Sequence, residues 1–166
     1  LLQHAIVLDS TSSEAAAYLA MTLQSFFTNN WSDEYAMQST VERMDALARQ
    51  AVVLDPNSAF ARAVHASSLA LLSQYDAAEA EVAKAQALNP YDSDVLARLA
   101  AASYVLGAWE RAVQFGTTVM TLDPNFRPTI LTIVGTGEFA LGRHADAIAK
   151  TRTCIQRAPT QQTCHA

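Results

Sequence analysis

Leu54-Asp55-Pro56, Leu88-Asn89-Pro90 and Leu122-Asp123-Pro124 stand 34 residues apart, and Pro159 follows Pro124 after 35. A period of that length marks an array of helical hairpins, each unable to bury its apolar face alone and therefore stacked on its neighbours. The extra residue falls in Asn125-Phe126-Arg127-Pro128, because the 34-residue frame resumes from Pro128. Inside each period small residues keep register: Ala66, Ala100 and Gly135 in the first half, Ala78, Ala112 and Ala147 in the second. Short side chains at both places let the two helices of a hairpin approach closely, while Leu69, Leu99, Val134, Val82 and Val119 fill the seam. The turns fall at Ser73-Gln74-Tyr75, Gly107-Ala108-Trp109 and Gly142-Arg143-His144, where glycine is twice available for a left-handed conformation.

Composition agrees with helices. The 166 residues are 51% hydrophobic, with only 5 Gly and 5 Pro, enough for one domain with a continuous core. The net charge of −5 comes from scattered single charges and leaves no basic stripe, which argues against nucleic acid and membrane surfaces as partners. No apolar run approaches the roughly 18 residues of a membrane span, and no leader pattern opens the chain. Leu1 stands inside an amphipathic pattern (Leu2, Ile6, Leu8), so an excised segment is expected, from which any targeting signal could have been cut away. The two cysteines, Cys154 and Cys164, make no disulfide framework and read as free thiols of a cytoplasmic protein.

Small residues at these places, glycine and an aromatic at the turn, and proline closing the second helix together resemble the tetratricopeptide repeat (TPR). The likeness covers Ser58 to Pro159 as three repeats and departs from the family pattern at Arg62 and His65, where large apolar residues are usual, and at Arg157, in the Leu slot before Pro. It implies an all-α fold, a right-handed solenoid of antiparallel helix-turn-helix hairpins. The expected organisation is one domain over 1–166: the end of a preceding repeat (1–10), an irregular repeat (11–57), regular repeats at 58–91, 92–125 and 126–159, and the start of a further helix (160–166).

The irregular repeat is signalled by Leu8-Asp9-Ser10, which precedes Leu54-Asp55-Pro56 by 46 residues, twelve more than the period. Its first helix is placed at Ser13 to Phe27 and its second from a cap at Ser32 through Val53, with Phe27-Thr-Asn-Asn-Trp31 as the joint. Trp31 and Tyr35 then lie near the tip, where Trp31 either packs on the hairpin or anchors a docked partner. A long-tipped first hairpin, with Asn29-Asn30-Trp31-Ser32-Asp33, the run from Ala46 to Pro56, and Phe139-Ala-Leu-Gly-Arg-His144, is similar to the C-terminal TPR modules of class III adenylate/guanylate cyclases and of certain winged-helix transcription regulators. That resemblance implies a regulatory arm of a larger signalling protein. No catalytic residue of a cyclase is in this chain.

No constellation for catalysis is visible. His4, His65, His144 and His165 are scattered, and His65 falls on a core-facing position. Cys164-His165 with Cys154 and His144 lacks the paired spacing of a structural zinc site, and Gly135-Thr136-Gly137 lies in mid-helix with no following Lys-Ser or Lys-Thr. No cofactor, metal or enzymatic activity is expected. The first helices of stacked TPR hairpins line a concave face, and their inward residues by register are Ala17, Met21, Gln24, Phe60, Ala63, Ser67, Ala97, Ala101, Tyr104, Thr132, Thr136 and Phe139, with Arg62 and Arg98 one step away. This small, hydroxylated and aromatic lining suits an apolar or amphipathic protein segment, the chain's own continuation included, better than a terminal carboxylate. The competing reading is a stand-alone or envelope scaffold that assembles other proteins. Neither end carries a polar cap, so either self-association through a repeat end or docking of missing flanking chain is a further expectation.

Overall fold

The structure, a computed structural model, describes residues 11–29 and 37–164. Among the described residues every regular element is helical: α1 (Ser13–Asn29), α2 (Met37–Leu54), α3 (Ala59–Leu71), α4 (Tyr75–Leu88), α5 (Ser93–Val105), α6 (Trp109–Leu122), α7 (Thr129–Ala140), α8 (His144–Arg157) and a short 3-10 turn, η1 (Gln162–Cys164). Consecutive helices pack as hairpins, α1 on α2, α3 on α4, α5 on α6 and α7 on α8. The fold is an all-α helical repeat. The described residues up to Asn89 form one compact unit and the described residues from Pro90 a second. In the first, α3 packs on both α1 and α2; in the second, α7 packs on both α5 and α6. The segments 1–10 and 30–36, with the Ser32 cap and the Trp31 and Tyr35 tip, lie outside the described residues, and α1 continues two residues past the expected Phe27.

Two of the three repeated tripeptides act as junctions through their acidic residue. Asp55 and Asp123 accept, through Oδ1, the backbone N–H two residues on (Asn57 at 3.0 Å, Asn125 at 2.8 Å), which turns the chain out of one helix and toward the next. Ser58 and Asp92 then cap the following helices, accepting from the N–H groups of Ala61 and of Asp94 and Val95. In the last three hairpins the turn closes in the same way. Gln74, Ala108 and Arg143 donate their backbone N–H to Leu69, Ser103 and Glu138, at 2.9, 2.9 and 2.8 Å. That geometry needs a left-handed residue, supplied by Gly107 (φ 70°) and Gly142 (φ 76°) and, at a steric cost, by Ser73 (φ 60°).

The in-register small residues are buried in the helix seams, Ala66, Ala78, Ala100 and Ala112 without any exposure. In the first unit Ala20, Leu23, Val41, Met44, Ala48 and Val64 make one cluster, with Phe60 packed against it. The family departures each find a partner or a place. Arg62 donates to Glu81 Oε2 and to the Pro56 carbonyl, both at 2.8 Å. Arg157 lies over the Phe126 ring, 4.1 Å from its centroid, and reaches the Pro124 carbonyl. His65 is largely enclosed, as its core-facing register predicts.

The cysteines correct the expectation of free thiols. Cys154, in the last turn of α8, and Cys164, in η1, are joined by a disulfide with their Cα atoms 5.4 Å apart. The spacing of ten residues carries no hint of this, because it is the fold of the chain after α8 that turns η1 back onto the helix end.

Candidate interaction surface

The residues assigned to the inner face divide sharply. In the first unit Ala63 and Ser67 have no exposure and Gln24 has 6%, and the Ser67 hydroxyl donates to the Ala63 carbonyl at 3.2 Å. Met21 and Phe60 are half-buried against the core cluster, and Phe60 stacks on Tyr18 with centroids 5.0 Å apart. These side chains hold the repeat seam together.

In the second unit the same register opens outward. Tyr104 is 36% and Phe139 is 63% exposed, with Ala97, Ala101 and Thr136 half-buried on the helices that carry them. Both rings are held in place. Tyr104, at the end of α5, meets Trp109 edge-on at 5.7 Å, and Phe139, at the end of α7, lies tilted on His144 at 5.2 Å. Each pair spans a turn whose glycine is left-handed, so the turn geometry sets the ring. Trp109 and His144 are supporting residues that inner-face register does not reveal; their sequence signal is an aromatic five residues after an aromatic, across a glycine.

Thr132 is occupied by the chain itself. Its hydroxyl donates to the Thr163 carbonyl at 3.3 Å and lies 3.6 Å from Cys154 Sγ. Arg98 is half-buried, and burial, then the Arg127 guanidinium, lowers its hold on its proton while Asp94 opposes them. Arg62 is engaged by Glu81. Burial alone would raise the Glu81 carboxyl, but the Lys84 ammonium at 2.9 Å and Arg62 outweigh it and hold the group below its ordinary value.

One buried polar cluster joins α2 to α3. Asp45, 3% exposed, accepts from the Ser68 hydroxyl at 3.0 Å and pairs with Arg49. His65 Nε2 is 3.3 Å from Asp45 Oδ1, yet neither ring nitrogen has a hydrogen-bond partner. Ser68 is fully buried, and its hydroxyl is committed to Asp45 and the His65 carbonyl, so the three residues are not arranged as an activated nucleophile. Among the described residues no group of three His, Cys, Asp or Glu is placed to hold a metal ion, and no helix is long and apolar enough to cross a membrane.

No family model matches the chain, and no curated protein does. Solved structures do match. A thermophilic TPR protein of Thermus thermophilus superposes with a TM-score of 0.72 over 99% of this chain and 83% of its own, at 16% identity. The fold is that of a TPR protein. Two further solved structures share it: PilW, described as a widely conserved type IV pilus biogenesis factor, at a TM-score of 0.65 and 16% identity over 99% of this chain and 70% of that one, and MamA at 0.61 and 17% over 95% and 85%. At such identities the TPR fold fixes how helices are arranged within a repeat and leaves the ligand to the surface residues.

Proposed function

We propose that this TPR chain is a protein-interaction module and not an enzyme, and that it receives an apolar or amphipathic segment of a partner on the first-helix face of its second unit. The observation that carries the reading is the pair Tyr104 and Phe139, one on α5 and one on α7, exposed and braced by Trp109 and His144. Rigid aromatics that are already ordered lose little entropy on contact and make good anchors. Ala97, Ala101 and Thr136 beside them leave room for aliphatic side chains of a bound helix or strand. Truncating both rings to alanine is the test. Loss of a bound segment with an unchanged helical signal supports the reading, and retention of the segment contradicts it.

The disulfide favours one context over the other. Both cysteines of the chain are joined and enclosed, an arrangement that persists in oxidising surroundings and is rare where glutathione keeps thiols reduced. We therefore place the chain as a scaffold that assembles other proteins outside the cytosol, in keeping with the biogenesis role stated for PilW. The cytoplasmic regulatory arm of a cyclase or transcription regulator is the competing proposal, supported by the resemblance of the first hairpin. Trapping thiols in the native source distinguishes them: unalkylated, disulfide-bonded chain supports the scaffold, and two alkylated cysteines support the regulatory arm.

A further inference from the structure

Three segments converge on the disulfide. Cys154 Sγ, in α8, lies 3.4 Å from the Pro128 carbonyl oxygen at the start of α7, and it is bonded to Cys164 of η1. Both residues are enclosed, at 1% and 3% exposure. Within the turn, local bonds set the shape: Gln161 N–H to the Ala158 carbonyl, Cys164 N–H to the Gln161 carbonyl, and Gln161 Nε2 to Thr163 Oγ1. The disulfide and the Thr132 hydroxyl tie that turn to the helices. A single 3-10 turn gains little from its own bonds against the entropy of ordering it, so the covalent tie dominates its retention.

We infer that the Cys154–Cys164 bond is a redox latch on the last hairpin, in which Cys154 is the fixed anchor and Cys164 the half that leaves. A dithiol reductant opens it in two exchanges. One thiolate attacks Cys164 Sγ, forming a mixed disulfide and displacing the Cys154 sulfur, which takes up a proton; the second thiol then closes on the first, releasing Cys164 as a thiol and leaving the reductant as a cyclic disulfide. The two products differ in their surroundings. The new Cys154 S–H has the Pro128 carbonyl as a ready acceptor and stays buried in α8. Cys164 has lost its covalent anchor, and the turn carries it into solvent, uncovering Thr132. The latch stands on the fold alone and not on the identity of any partner.

The test uses the intact chain, reduced with dithiothreitol under native conditions and pulse-labelled with iodoacetamide, with hydrogen exchange followed by mass in parallel. Cys164 is expected to alkylate at least about tenfold faster than Cys154, because only one of them needs no helix opening. Exchange should rise in 158–164 and at the start of α7, and stay unchanged in α3 and α4. The Cys164→Ser chain, never reduced, should show the same exchange pattern. Equal labelling, Cys154 reacting first, unchanged exchange in 158–164, or exchange rising uniformly across the chain would each overturn the latch.

Discussion

Gly116 of α6 faces Val134 of α7 so closely that a Cβ built on the glycine would lie 2.4 Å from Val134 Cγ2. The contact is reciprocated: a Cβ on Gly137 of α7 would lie 2.7 Å from Val113 Cγ2 of α6. Two glycines therefore set how closely one repeat approaches the next, each receiving the valine of the opposite helix. Valine is stiff at χ1 in a helix, where one rotamer is strongly preferred, so it retreats only at a cost. Gly116→Ala should destabilise the second unit by roughly 1–3 kcal/mol despite alanine's better helix propensity. Adding Val134→Ala should recover part of that loss, a coupling that a double-mutant cycle on denaturant midpoints measures. Additive losses would mean the helices simply shift apart.

Gly135, between those contacts in sequence, has a different prospect. A Cβ there meets Lys150 Cβ at 3.4 Å, an ordinary contact. Gly135→Ala should be neutral or stabilise by up to about 1 kcal/mol through propensity, in contrast to its neighbour Gly137. Equal losses at both positions would show that space does not decide between them.

Ser73 occupies the left-handed position that Gly107 and Gly142 fill in the other two turns. Ser73→Gly removes the clash of Cβ with the following carbonyl and should raise stability by about 1 kcal/mol, somewhat offset by glycine's greater freedom in the unfolded chain. A raised thermal midpoint checks it, and Ser73→Val, whose branched side chain tolerates this conformation poorly, should lower it.

His65 titrates against stability. Burial first, helped by Arg49 and Arg62 and opposed by the Asp45 and Glu81 carboxylates, pushes its imidazole below the ordinary 6.5. The unfolded chain therefore takes up the proton more readily. The contribution of neutral His65 is fully present above 6.5 and is lost as the pH falls through the lower folded value. Because neither ring nitrogen has a hydrogen-bond partner, His65→Leu leaves no group orphaned by its removal. It should raise stability by roughly 1 kcal/mol and flatten the slope of unfolding free energy in mildly acidic solution. Glu81, held below 4.5, sheds its own contribution as the pH falls below that value, whereas the loss from His65 begins already below 6.5. An unchanged slope in the variant would show that His65 is not its source.

The fold was legible because its determinants are local and repeated: Asp55 and Asp123 close their junctions within two residues, and Gly107 and Gly142 stand where the left-handed turn falls. What faces solvent was less legible. Ser67 and Tyr104 share the inner-face register, yet one is sealed in a seam and the other exposed, because accessibility depends on which side chains a neighbouring helix brings. The Cys154–Cys164 pairing was hidden for a related reason: ten residues across a helix end carry no periodicity, and only the path of the chain after Pro159 closes the distance.

The most direct test of the interaction-surface reading is site-specific photocrosslinking in the native source, with the reactive side chain placed at 104 or 139 and, as controls on the exposed faces of second helices, at 86 or 148. The account predicts a discrete adduct with a protein segment from 104 and 139 and none from the controls. Adducts from the controls alone, or equally from all four positions, would contradict it.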